Sequence, residues 1–383
     1  MEYFEKPICS DYHTREILAG LKVNVPDKEI YRNILRRWDG IAKPLDSMGR
    51  FERVTAKIGA ILGTEEIDIG KKAVVIMCAD NGIVEEGVSQ SGQEVTAAVA
   101  AQMGKGSSSV GKMAAKIGAD TIPIDIGINC EESIPGTFSH KICRGTRNFR
   151  KEPAMSHEEA IQAVLVGINV AASCKQRGYR LLATGEMGIG NTTTSSAVAA
   201  ALLNCDTNEV IGRGAGLSDE GLCRKRRIIG EAIARYQLAG ADPIHILESV
   251  GGLDIAGLSG ICIGGALSHI PIVLDGAISM TAALLAERIV PGTVQYLVAS
   301  HRGKEPAVEK LTRELRLEPV IDGEMALGEG TGAVMMMALL DMALCIYQEG
   351  NSFSEIRVAP YERYAERKPI LSEREDALEE ASP

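Results

Sequence analysis

The chain has 383 residues, 45% hydrophobic and 24% charged, a composition that excludes a disordered or fibrous protein. Lys and Arg number 41 against 51 Asp and Glu; the net charge of −10 and only 4% aromatics argue against a nucleic-acid-binding surface. They leave room for a small anionic ligand held by a few local donors.

At about 150 residues per domain, the length suggests a large domain with a smaller one, or two domains. Nine cysteines, mostly inside apolar runs and without a CxxC, argue against a disulfide framework or a zinc site. They point to a reducing cytoplasm. The start, Met1-Glu-Tyr-Phe-Glu-Lys, has no basic region followed by an apolar one, so no signal peptide is expected. The first 70 residues read as helical. Asp27 opens a run with apolar Ile30, Ile34, Leu35 and Trp38, and a second helix is expected from Phe51 to Leu62 after the turn at Lys43–Arg50. The pattern then changes. Ala73–Ala79 reads as a buried strand, Glu94–Ile117 as one long helix and Asp120–Gly127 as a second strand. Ser156 and Glu159 form a capping box at the start of another helix. Arg180–Gly185, Pro271–Asp275 and Val294–Ser300 read as further strands, and Thr331–Tyr347 as an apolar closing helix. The charged end from Tyr364 onward is expected to fray. Ile255–Leu274 carries no Asp, Glu, Lys or Arg, yet its glycines, His269 and Pro271 suit a buried helix and strand better than a membrane span.

Strands alternating with helices imply βαβ units and a mainly parallel sheet, whose ligand sits at the carboxyl ends of the strands. The loops there are Ala79–Gly82, Gly185–Thr193, Asp275–Ala277 and Ser300–Lys304. Gly185-Glu-Met-Gly-Ile-Gly-Asn-Thr-Thr193 is the strongest signal. Its glycines and the helix N-terminus after it suit an anion, though a tight strand-to-helix turn asks for the same residues. The spacing is GxxGxG, not the dinucleotide fingerprint. Gly212-Arg-Gly-Ala-Gly216 with Lys225 beyond it reads equally as a phosphate loop with its lysine or as a flexible connection and a solvated helix face. Gly106–Lys112 resembles a nucleotide-hydrolase phosphate loop, but Met113 stands where a magnesium-binding hydroxyl belongs. Glu329, between two glycines before an apolar helix, is either a general base with a raised pKa or an exposed acid at a helix start. Asp275 carries the same ambiguity.

In chain order, Lys43–Glu52, Ala79–Val84, Glu86-Gly-Val88, Gly185–Thr193, Gly251–Gly257, Leu274-Asp-Gly276 and Leu327–Ala333 together resemble the nicotinate-nucleotide–dimethylbenzimidazole phosphoribosyltransferase family, over about residues 30–350. The resemblance implies transfer of a 5-phosphoribosyl group from nicotinate mononucleotide to 5,6-dimethylbenzimidazole or an analogue, with inversion at the anomeric carbon, in cobamide assembly. It implies no metal and no cofactor. It makes Glu329 the base that takes the N–H proton. Glu186, Gly188, Gly190, Asn191, Thr192, Thr193, Gly214, Lys225 and Asp275 fall on the nucleotide and phosphate site. Ser91, Val99, Met187 and Leu327 fall on the base pocket. It also implies a Rossmann-like sheet domain at about 71–334, a small helical domain from 1–70 and about 335–383, and a dimer.

Three departures make the base uncertain. Asn81 stands where the family commonly has His, Val99 where some members have Gln, and Met187 where Leu is common. A substituted benzimidazole, a purine or a phenolic is conceivable, and the chain could be one subunit of a heterodimeric phenol-using pair. An oxidoreductase reading lacks the acid expected about 20 residues past the loop. A non-catalytic subunit is opposed by intact Glu186 and Glu329. No nucleic-acid or membrane partner is expected.

Overall fold

The computed structural model describes Leu18 and residues 20–364, so the expectations for 1–17 and for the charged end lie outside the described residues. Six parallel strands form one sheet: β1 (Lys72–Ala79), β2 (Asp120–Gly127), β3 (Phe138–Ser139), β4 (Leu181–Met187), β5 (Ile272–Leu274) and β6 (Leu297–Ala299), in the order β3-β2-β1-β4-β5-β6. β1 is buried along its whole length. That requires cover on both faces, as a parallel sheet demands. Val75 and Met77 join one apolar cluster and Val74, Ile76 and Cys78 the other, the period-2 alternation of a strand. β2 lies on one side of β1 and β4 on the other, so chain order reverses there; in such sheets ligands sit at the carboxyl ends of the strands.

One face is covered by α5 (His157–Gln176), α9 (Leu253–Leu267) and α10 (Ala277–Ile289). The other carries α1 (Lys28–Gly40), α2 (Arg50–Leu62), α4 (Ser109–Lys116) and α12 (Thr331–Glu349). The chain also forms α3 (Glu94–Gly104), α6 (Asn191–Leu203), α7 (Asp219–Arg235), α8 (Pro243–Val250) and α11 (Ala307–Glu314). The expected caps form: the Asp27 side chain accepts from the N–H groups of Glu29 and Ile30, and the Ser156–Glu159 capping box is complete. The apolar stretch from Ile255 is a buried helix and strand, as its glycines suggested. α12 is long and apolar enough to cross a membrane by length and composition, but 56% of its apolar window is buried inside the protein.

The expectations fail in four places. The single helix over 94–117 is two, because Gly106 turns left-handed at φ 68° and Ser108 caps a new helix by accepting from Gly111 N–H. The phosphate-loop look-alike therefore joins two helices. β4 runs two residues further than expected, so Glu186 and Met187 belong to the strand. β3 is too short to leave a periodic signal. Thr293–Tyr296 is a 3₁₀ turn, leaving only Leu297–Ala299 as strand.

α5 and α9 meet backbone to backbone. A Cβ on Gly260 would stand 2.0 Å from the Val164 carbonyl oxygen, and one on Gly167 2.0 Å from that of Gly257. Overpacking a tight contact costs about 1–3 kcal/mol. Gly260→Ala is expected to lower the unfolding free energy by at least that much in denaturant titrations.

Candidate active site

A cleft of about 230 Å³ opens at the carboxyl ends of β4, β5 and β6. Its floor is the end of β4. A Cβ on Gly188 would lie 2.3 Å from the Ala79 carbonyl oxygen, so glycine lets the two strand ends touch. Gly190 then turns left-handed and α6 starts at Asn191. The Asn191 side-chain amide donates to Glu186 and is also hydrogen-bonded to Asp254, which lies fully buried in the first turn of α9. Glu329 N–H also bonds Glu186. Burial, reinforced by the charge of Asp254, pushes the Glu186 carboxyl up to about 8. Burial pushes Asp254 up to about 6 against its hydrogen bonds. Two acids thus share one amide in a poorly solvated pocket.

The opposite wall is the loop before α12. Gly328, Glu329 and Gly330 are all left-handed, at φ 79°, 62° and 94°. For Glu329 that conformation costs about 1–2 kcal/mol. Asp275, just after β5, holds it in place. Its Oδ2 accepts from Gly330 N–H at 3.2 Å, and its Oδ1 from Gly332 and Ala333 N–H at 2.8 and 3.2 Å. A buried carboxylate on the first N–H groups of a helix is stabilised by both the hydrogen bonds and the dipole. Burial pushes the Asp275 carboxyl up, while His301 and those three N–H groups pull it down. His301 is buried, with Nδ1 2.9 Å from Ser300 Oγ. It fits only because residue 332 is glycine, where a Cβ would stand 2.1 Å from its Nδ1. The Glu329 side chain is half-buried, and its Oε2 accepts from Val110 N–H of α4 at 3.5 Å. Burial and Asp275 raise its pKa, and the Val110 N–H opposes them.

Glu186, Met187, Gly188, Asn191, Thr192, Gly214, Asp275, Leu327 and Glu329, of the expected site residues, share the cleft wall. Five expected residues do not reach it. Gly190 lies beneath the turn, and the Thr193 hydroxyl is buried without a partner. Lys225 is fully buried, its Nζ donating to Thr192 Oγ1 at 3.1 Å and Gly212 O at 3.3 Å. Burial pulls its pKa down to about 8. Val99 packs with Met187 against one apolar cluster, behind the wall. Ser91 is half-buried in the turn ahead of α3. Asp275 reads as a cap for the Glu329 loop, since both its oxygens are engaged by backbone. Sequence reasoning gave no role to Asp254 and His301. Their signals were an acid in an otherwise apolar helix and a histidine directly after a strand. Among the described residues, Asp39, Asp46 and Glu52 bring ligand atoms within 4.8 Å of one another. None of the three lines the cleft, and Arg363 and Lys43 pair with them.

Asp275→Asn puts an amide N–H against backbone donors. Leaving a buried donor unsatisfied costs about 1–3 kcal/mol. A loss of that size in denaturant titrations is expected.

The Phosphoribosyltransferase family matches residues 23–358. The chain is 42% identical over 335 residues to the nicotinate-nucleotide–dimethylbenzimidazole phosphoribosyltransferase of Acetivibrio thermocellus, covering 88% of this chain and 95% of that one. It is 42% identical to the Clostridium acetobutylicum protein of the same name over 339 residues, covering 88% and 96%. The crystal structure of CobT from Thermus thermophilus superposes with a TM-score of 0.82 at 37% identity, covering 87% of this chain and 100% of that one. The fold, the ordered motifs and these relatives agree: the chain belongs to the nicotinate-nucleotide–dimethylbenzimidazole phosphoribosyltransferase family.

Proposed function

We propose that this chain moves the 5-phosphoribosyl group of β-nicotinate mononucleotide to a lower-ligand base such as 5,6-dimethylbenzimidazole, giving α-ribazole 5′-phosphate and nicotinate. The observation that carries the reading is Glu329: an acid with a raised pKa, held in a strained turn at the mouth of a cleft. Nicotinate leaves easily, because its ring nitrogen is cationic in the nucleotide. The incoming base nitrogen forms a bond to the anomeric carbon as the nicotinate nitrogen–carbon bond breaks. The N–H proton of the incoming base passes to the Glu329 carboxylate. Inversion follows if the two bases lie on opposite faces of the ribose. Glu186, protonated at neutral pH by its burial, would offer a hydrogen-bond donor, and Asp254 and Asp275 would hold negative charge near the developing oxocarbenium ion. Thr192, Asn191 and Gly214 would take the phosphate, with the Lys225 ammonium acting through Thr192 from behind; Met187 and Leu327 would line the base pocket, with Val99 and Ser91 outside its wall.

A division into a sheet unit and a helical unit from both ends is supported where α12 meets the N-terminal helices. Tyr347 Oη donates to Glu65 O at 3.0 Å and Gln348 Nε2 to Ile67 O at 2.6 Å. A homodimer is supported by the outward face of α12, where Met335, Met342 and Ile346 are exposed at seven- and four-residue spacing. A reducing cytoplasm fits the cysteines, which are all free among the described residues.

The test is nicotinate release by the pure chain from nicotinate mononucleotide, with dimethylbenzimidazole, adenine, phenol and p-cresol as acceptors. Base-dependent release is expected; none with any base would overturn the assignment. Glu329→Gln should lower kcat by about 10²–10⁴ with nucleotide binding retained. The pH dependence has a definite sign. Glu329 acts as a base only when deprotonated, so kcat/KM should rise with pH through a pKa above the usual carboxylate range. It should fall again near 8, where Lys225 loses its charge and Glu186 its proton. The acidic limb should be missing from the residual activity of Glu329→Gln.

A further inference from the structure

Gly214 N–H, one of the donors assigned to the phosphate, is already taken. It donates to Glu305 Oε1 at 3.1 Å, from the residue two before α11. The Glu305 carboxylate lies over Gly212, where a Cβ would stand 1.8 Å from Oε2, so only glycine admits it. On the other side, a Cβ on Gly214 would meet Thr192 Oγ1 at 2.6 Å. The loop is therefore threaded between an acid and a hydroxyl. Behind it, Lys225 Nζ bonds Thr192 Oγ1 and Gly212 O and does not line the cleft. The Glu305 charge is what favours its ammonium form against burial. Glu305 itself is half-buried and lines the cleft together with Thr192 and Gly214. A backbone N–H, a hydroxyl and an ammonium are the donors a phosphate needs, and a carboxylate from this chain sits among them.

We propose that Glu305 sets the affinity of the phosphate dock: its carboxylate holds the place of the substrate's 5′-phosphate on the Gly212–Gly216 loop, and the nucleotide binds by displacing it. This rests on the reading that the phosphate docks at this loop. A phosphate monoester carries about 1.5–2 negative charges at neutral pH and three acceptor oxygens, against one charge and two oxygens on the carboxylate. The dianion outcompetes Glu305 for Gly214 N–H and for Lys225. A nucleoside without phosphate has nothing to displace it with, and the loop stays latched. The acid thus lowers the affinity for every anion, the nucleotide included, and leaves a nucleoside's affinity unchanged.

The test is calorimetric titration of inorganic phosphate into the full chain, for wild type, Glu305→Gln and Lys225→Ala, at one ionic strength. Removing a like charge next to the docked anion should tighten phosphate binding by about tenfold in Glu305→Gln. The KM for nicotinate mononucleotide should fall by a similar factor, with no such gain for nicotinate riboside. Lys225→Ala should weaken phosphate binding by about tenfold or more. Unchanged or weaker phosphate binding in Glu305→Gln, with Lys225→Ala still losing affinity, would overturn the displacement and leave the dock standing. Phosphate binding unaffected by either substitution would overturn the dock, and the displacement with it. Should Glu305→Gln fail to fold, Glu305→Asp keeps the charge but falls short of Gly214. It should tighten phosphate binding by a smaller factor, and no change there would also overturn the proposal.

Discussion

The cleft depends on one carboxylate whose oxygens are both held by backbone N–H groups. Asp275 stands at the end of a three-residue strand and accepts the first free N–H groups of α12. A helix start and a strand end are thereby tied at one point, and Glu329 is caught between them in a conformation it would not adopt alone. The tie also fixes the back of the site. A Cβ on Gly185 would stand 2.5 Å from the Glu329 carbonyl oxygen, so the loop rests on β4 with no space between. Strand, loop and helix therefore move together or not at all. A general base needs that rigidity, because proton transfer demands hydrogen-bond distance at the moment of attack.

Acids dominate the rest of the site, and their distribution is ordered. Glu186, Asp254, Asp275 and Glu329 all face burial; Asp254 and Asp275 raise the cost of ionising Glu186, and Asp275 does the same to Glu329. Backbone N–H groups offset this for Asp275, the Asn191 amide does so for Glu186 and Asp254, and Val110 N–H does so weakly for Glu329. The least supported of them at its side chain is the one proposed to gain a proton. A site whose substrate carries a cationic ring nitrogen, and whose positive charge passes to the ribose as the bond breaks, is well matched by a wall of carboxyl groups.

Much of this was legible in the residues. Apolar runs bounded by glycine gave the long strands, and a glycine-flanked acid before an apolar helix marked Glu329. The two-residue β3 was too short for its period to register, and β6 fills only the second half of the expected Val294–Ser300 run, the first half being a 3₁₀ turn. The break between α3 and α4 was hidden by helix-forming residues on both sides, and only the conformation of Gly106 and the cap of Ser108 decide it. Lys225 was placed by resemblance near a phosphate, yet no sequence signal says that its ammonium is sealed behind Thr192. Asp254 and His301 were invisible as site residues because their partners, Asn191 and Asp275, are far away in the chain and meet them only in the fold.

That break between α3 and α4 has a wider meaning. Val99, proposed to lie behind the base pocket, rides on α3, whereas the N–H that faces Glu329 belongs to Val110 on α4. Had the segment been one rod, any repacking around residue 99 would have levered residue 110 and changed the basicity of Glu329. Two short rods joined at Gly106 uncouple the two tasks. The pocket is free to diverge among aromatic acceptors of different size while the proton acceptor keeps its strength, so acceptor range and turnover can be selected separately within one scaffold.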